Sequence, residues 1–497
     1  MLRRRTLLKS GAVLSGTLLL GCPPEPQPPV GESPFDLGVA SGDPTMRSVV
    51  LWTHVRVAVA TEVEVEVFRD EAGVERVVRE LALAEPARFG CVKVDVEGLE
   101  PGTTYFYRFA LRGHRSPLGR TRTLAEGDVE RARIAVVSCA NFANGYFHAY
   151  ARIAELDDLS FVLHLGDTIY EYADGAYGDL RALEPTTELQ TLADYHTRYA
   201  QVRSDADFQA MLARHPFLPI WDDHEFANNA HWLGAQAHDP RTEGAWATRR
   251  DAAIHAFFAW NPVREPGSTP RTCARSFELG DLARFVLLDT RMDGREEPPW
   301  DDAERRRETR TMISSAQENA LRAALDARDV AHTVIANQVV FSPFPIVAND
   351  DAWDGFPAQR DRILGLLAAS PTLPVILTGD THSALVFDVP STGYDPTNQR
   401  GSVGVEWGTT TVSSPDIAFG DPIGHAARLL AATPHLRWTE QASKGFLLLD
   451  LDRTRARGEW YFVEDITRRD GGNARLVAVY EASSRERFCR EMPLRGV

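Results

Sequence analysis

Six short apolar runs, separated by long stretches with helical character, constrain this chain more than any other feature of its sequence. They cover residues 134–137, 161–163, 217–220, 285–288, 333–336 and 373–377. Runs of this length, without polar alternation, read as strands buried on both faces. Helix signals lie between several of them. Ser315 followed three residues later by Glu318 has the spacing of a capping box, and Ile363, Leu364, Leu366 and Leu367 give an apolar face after Pro357. This alternation predicts an α/β domain over residues 131–497. Residues 445–452, 458–463 and 475–480 read as further strands and are expected to form a second sheet.

Upstream, over residues 35–125, the period changes. Glu62-Val63-Glu64-Val65-Glu66-Val67 alternates strictly, as a strand with one wet and one buried face does, and Val92, Val94 and Val96 alternate with Lys93, Asp95 and Glu97. Gly98 to Gly102 supplies a turn before the aromatic run from Tyr105 to Phe109. A small all-β antiparallel sandwich is expected here, with its boundary over residues 125–133.

The first 34 residues are read as targeting and tether. Arg4-Arg5-Thr6-Leu7-Leu8-Lys9 resembles a twin-arginine export signal, and the apolar stretch from Gly11 to Leu20 is too short to span a bilayer. Leu19-Leu20-Gly21-Cys22 resembles a lipobox, so residues 1–22 predict a periplasmic or secreted protein whose only membrane contact is a lipid anchor at Cys22. Residues 23–34 are a proline-rich spacer. Of the remaining cysteines, Cys91, Cys273 and Cys489 allow at most one disulfide if Cys139 binds metal. The net charge of -16 argues against a nucleic-acid-binding surface. A monomer is expected.

The chemistry lies where the strands end. Residues 134–137 run into Ser138-Cys139, 161–163 into Gly166-Asp167-Thr168-Ile169-Tyr170, 217–220 into Trp221-Asp222-Asp223-His224-Glu225, and 373–377 into Gly379-Asp380-Thr381-His382. Ligands of α/β sheets bind at the carboxyl ends of strands, so these tips are expected to converge on one crevice. So many acidic and soft ligand groups would repel one another without cations. Thiolate, phenolate and imidazole suit a transition metal such as Fe(III), whereas Asp223, Asp380 and an amide from Asn228 or Asn229 suit Ca²⁺. His224 is placed to protonate a leaving oxygen. His164, inside its strand, is expected to be an interior histidine satisfied by a neighbour.

These motifs, in this order, resemble those of the PhoD-like alkaline phosphatases, relatives of the calcineurin-like and purple acid phosphatases. Phe35 to Pro44 followed by Val49-Val50-Leu51-Trp52-Thr53 is similar to the start of that family's N-terminal domain, and Leu288-Asp289-Thr290-Arg291, Asn337-Gln338, Asp351 to Gly355 and Trp460 to Val463 are similar to further segments. The resemblance implies a four-layer α+β metallophosphoesterase sandwich and one Fe(III) with one or two Ca²⁺ ions. It implies that Cys139, Asp167, Tyr170 and His382 hold the iron and that Asp167 bridges to calcium held with Asp380 and the segment from Trp221 to Asn229. Within that segment Asp223, Asn228 and Asn229 are rival ligands, and Thr168 stands where many members carry an aromatic residue. The expected activity is hydrolysis of small-molecule or lipid phosphate esters outside the cytoplasm by a metal-bound hydroxide. The alternatives are a phospholipase D-like or teichoic-acid phosphodiesterase, and a non-catalytic binding lipoprotein.

Overall fold

A computed structural model describes residues 33–267, 271–344, 349–416 and 420–494. The predicted export signal, Cys22 and nearly all of the spacer lie outside these residues. None of the described helices is long and apolar enough to cross a membrane.

Two mixed sheets form the centre. One has ten strands, and its middle is parallel: Arg131–Val137, Leu159–His164, Pro216–Pro219 and Val39–Gly42. The other has seven strands, with Ala283–Leu287, His332–Ala336, Leu373–Thr378 and Arg400–Gly408 parallel at its core. The six apolar runs divide evenly between the two sheets. Their facing sides pack together: Phe161 meets Phe277 and Phe285 with ring centroids 5.4 and 5.2 Å apart, and Trp460 meets Trp407 at 6.1 Å. Burial of this interface supplies the driving force for the sandwich.

Helices cover the outer faces. Phe208 of Ala206–Arg214 packs on Phe217, and Phe257 of Trp246–Trp260 packs on Trp221. On the other side, Ser315–Asp326 and Pro357–Ala369 bury Leu321, Ile363 and Leu367 against Ile335 and Ile376. The result is helices, sheet, sheet, helices. The predicted cap shifts by one residue, because the Ser314 hydroxyl, not Ser315, accepts from the Gln317 amide at 3.3 Å. Glu318 instead faces Gln359 and Arg362.

The C-terminal strands differ from expectation. Gly445–Asp452, Arg455–Val463 and Ala474–Ser483 add in sequence to the ten-stranded sheet, beginning antiparallel to Arg131–Val137, rather than forming a sheet of their own. The second sheet starts instead at Arg275–Leu279 and Ala283–Leu287.

The N-terminal sandwich is present. Its outer sheet contains Thr61–Phe68, Arg76–Ala84 and Thr104–Leu111, and Val63, Val65, Val67, Tyr105 and Tyr107 bury against Val49, Leu51 and Val92. Glu66 lies on the side expected to be wet but is buried, between Arg76 at 2.7 Å and Arg108 at 2.9 Å. The inner strands of this sandwich continue the ten-stranded sheet: Ser41 and Gly42 pair in parallel with Pro216 and Phe217. A Cβ on Gly42 would lie 2.3 Å from the Phe217 carbonyl oxygen, so only glycine permits this approach. Lys93 donates to the carbonyls of Phe258 and Val263, Trp52 to that of Ala259, and Arg275 pairs with Asp43 at 2.8 Å.

Candidate metal centre

Both sheets deliver their strand tips to one place. Cys139, Asp167 and Asp223 follow strands of the ten-stranded sheet, and Asp380 and His382 follow a strand of the seven-stranded sheet. The chain turns sharply as it leaves each strand. Cys139, Asp167, Asn229, Asp380 and His382 all have left-handed backbone, with φ of 59°, 60°, 54°, 62° and 53°. They are half of the ten described non-glycine residues with positive φ. Such conformations persist where the surrounding structure holds them, and here they aim ligand groups inward.

Three triads of ligand atoms, each within 4.8 Å, run across the site: Cys139, Asp167 and His382; Asp167, Asp223 and His224; and Asp222, Asp223 and Asp380. Asp167 and Asp223 each belong to two of them. Its Oδ2 lies 3.4 Å from the Cys139 sulfur and 3.2 Å from the Tyr170 hydroxyl, and that hydroxyl is 3.3 Å from His382 Nε2. Ser414 donates to the Tyr170 oxygen at 2.6 Å, and the Pro415 carbonyl accepts from His382 Nδ1 at 2.7 Å, leaving Nε2 to face the site.

The rivalry among Asp223, Asn228 and Asn229 narrows. Gln236 Oε1 accepts from the side-chain amides of both asparagines, which leaves both carbonyl oxygens free. Only Asn229 donates its backbone N–H to Asp223 and borders the clefts beside the site, whereas the Asn228 N–H goes to Glu171. Asn229 is thus tied to Asp223, and Asn228 to Glu171.

The electrostatics of the buried donors fit cations. Burial pushes the Cys139 thiol, the Tyr170 phenol and the Asp380 carboxyl well above their ordinary pKa values, with Asp167 adding to the first two and Asp222 to the third. Burial likewise raises Asp167, with His224 opposing. His382 is driven down to about 3 by burial, so it is neutral and able to ligate. Anionic donors this deeply buried hold their charge only around a counter-cation. His224 behaves oppositely. Burial disfavours its charge, but Asp223, Glu171 and Asp167 outweigh that and hold it protonated well above the ordinary histidine range. Its Nδ1 faces Glu171 Oε2 at 2.8 Å, and its ring lies 4.4 Å from that of Tyr170.

Several residues that hold the site have no part in the reading of its ligands. Arg291, fully buried, contacts Asp222 through Nε and Asp351 through one terminal nitrogen, and its other terminal nitrogen lies 3.5 Å from Asp223 and 3.4 Å from Asp380. Glu225 accepts from the backbone of Asp167, Thr168 and Asp222 and from the Thr168 hydroxyl. Thr168 is therefore committed to this support. His164 is interior, with Nε2 2.8 Å from the Tyr150 hydroxyl. The described cysteines are all free thiols.

Two family profiles match the sequence: PhoD-like phosphatase over residues 134–460, and PhoD-like phosphatase, N-terminal domain, over residues 21–125. The chain belongs to the PhoD-like phosphatases. Alkaline phosphatase D of Bacillus subtilis (strain 168) is 33% identical over 438 residues, which span 82% of this chain and 73% of that protein. A solved structure of PhoD, 28% identical, superposes with a TM-score of 0.86 over 95% of this chain and 94% of the other. This PhoD-like protein is a hydrolase of phosphoric esters, and the expected architecture of an α/β catalytic part with an N-terminal all-β domain holds.

Proposed function

We propose that this PhoD-like phosphatase is an exported enzyme that cleaves phosphate monoesters and diesters at a mixed centre of Fe(III) and Ca²⁺. Cys139, Asp167, Tyr170 and His382 would hold the iron, and Asp167, Asp223, Asn229 and Asp380 the calcium. The observation that carries this reading is the buried meeting of a thiol, a phenol and an imidazole on one side of Asp167 with a carboxylate cluster on the other. Soft and hard donors segregated in this way favour two kinds of metal over one. When bound, the ions would supply Lewis acidity toward phosphoryl oxygens and acidify a water nucleophile.

The chain's own residues do the rest. His224 Nε2, with Nδ1 turned to Glu171, can give a proton to the departing alkoxide. The Glu225 carboxylate fixes the turn that presents Asp167. Arg291 neutralises part of the carboxylate cluster and orients Asp223 and Asp380. Two clefts, of about 200 and 390 Å³, meet at Asn229 and Asp351 and leave room for a second ester substituent, which supports diesters alongside monoesters. Export, with a lipid anchor at Cys22, rests on the N-terminal motif.

The test is to purify the protein with iron and calcium supplied and to assay 4-nitrophenyl phosphate beside bis(4-nitrophenyl) phosphate. Both should be hydrolysed, with activity lost on calcium chelation at fixed iron content. Activity that survives complete removal of both metals would refute the proposal.

A further inference from the structure

The larger cleft says something about substrate that the metal centre does not. It has a volume of about 390 Å³ and is lined by Asn229, His231, Gln236, Glu297, Asp350 and Asp351 among others, with no lysine or arginine among the lining residues. It joins the 200 Å³ cleft that reaches Asp380, since Asn229, Asn349 and Asp351 border both. A phosphoryl group held at Asp380 and Asn229 would therefore direct its alcohol substituent into the larger space.

The walls differ in how their charge is compensated. Asp350 is gripped by Arg305 at 2.9 and 2.8 Å, and Asp351 by Arg291 and Arg295. Glu297 is exposed, and among the described residues its carboxylate has no cationic partner. Gln236, which also lines the cleft, uses its carbonyl oxygen on Asn228 and Asn229, which leaves its amide hydrogens without an acceptor among the described residues.

We propose that this cleft is the leaving-group subsite, and that Glu297 makes it select esters of neutral or cationic alcohols over esters whose alcohol carries a negative charge. The inference rests on the phosphatase reading of the metal centre and names the substrate class of that site. The Gln236 amide can donate to a polar group of the alcohol, and Glu297 at the rim attracts a cationic substituent and repels an anionic one.

A matched set of substrates tests it: phosphorylcholine, glycerol 3-phosphate and 3-phosphoglycerate, which present cationic, neutral and anionic alcohols. In the metal-loaded full chain, kcat/KM is expected to fall in that order. Glu297→Lys reverses one charge, so the ratio of glycerol 3-phosphate to 3-phosphoglycerate should drop roughly tenfold at low ionic strength and less at high salt. Glu297→Gln should lie between. Unchanged ratios in Glu297→Lys, with all three esters hydrolysed, would overturn the subsite and leave the phosphatase reading intact. Failure of the wild-type enzyme to hydrolyse any of these esters or 4-nitrophenyl phosphate would overturn both.

Discussion

Glu225→Gln should destabilise the protein by about 2–4 kcal/mol while removing no ligand from the metal site. The Glu225 carboxylate is wholly buried and takes four hydrogen bonds: from Asp167 N–H at 2.8 Å, Thr168 N–H at 2.6 Å, the Thr168 hydroxyl at 2.7 Å and Asp222 N–H at 2.7 Å. Each oxygen receives at least one backbone N–H, which cannot reverse its role. Whichever oxygen becomes the amide nitrogen of glutamine, a backbone donor then faces another donor. That leaves a buried N–H without an acceptor, at about 1–3 kcal/mol, and the bonds that remain lose their charge assistance, at about 1 kcal/mol more. The measurement is urea denaturation of metal-free wild-type and variant protein, followed by tryptophan fluorescence, so that metal affinity does not enter. The variant should also bind metal more weakly, because Asp167 and Asp222 would lose the brace that sets their turns. Stability within about 0.5 kcal/mol of wild type would refute the reasoning, because a loss that small is less than one unsatisfied buried donor.

Further outcomes follow from the same geometry. His224→Asn should slow alkyl phosphates about 10²–10⁴-fold and 4-nitrophenyl phosphate much less, because a good leaving group needs no proton; an equal loss on both would remove the proton-donor role. Cys139→Ser should fold but lose iron and most activity, and Asp167→Asn should be worse than Asp380→Asn, because Asp167 belongs to two of the ligand triads; metal analysis of the soluble variants checks both. Deleting residues 35–123 should give insoluble protein, since it bares the edge of Pro216–Pro219, the strand that leads to Asp223. A soluble truncated enzyme with full metal content would show that the continuous sheet does not matter to the site.

The gathering of Cys139, Asp167, Asp223 and Asp380 was legible in the sequence because each sits within a few residues of an apolar run, and position at a strand tip is a local signal. What brings Asp380 and His382 to Cys139 is the packing of two sheets, and nothing local to either segment states that they face each other. The supports were harder to read. Arg291 lies 68 residues from Asp223 in sequence, and Glu171 and Glu225 look like surface carboxylates until their buried partners are known. The one local hint was that Arg291 follows an apolar run just as the ligands do. Left-handed backbone at Cys139 has no residue-type signal, since cysteine is not among the residues enriched in that conformation. Period-2 alternation found the N-terminal strands, but alternation does not report which strand pairs with Pro216–Pro219, and so the shared sheet was hidden. The final strands were seen and assigned to the wrong sheet for the same reason.

The central claim is that soft and hard donors on either side of Asp167 hold two kinds of metal. It is tested most directly by elemental analysis and visible spectroscopy of one sample of active enzyme. The account predicts iron together with calcium, and a visible charge-transfer band from the Tyr170 phenolate and Cys139 thiolate to Fe(III) that is lost or shifted in Tyr170→Phe. Zinc has a filled d shell and gives no such band. A colourless, fully active enzyme containing only zinc or magnesium would contradict it.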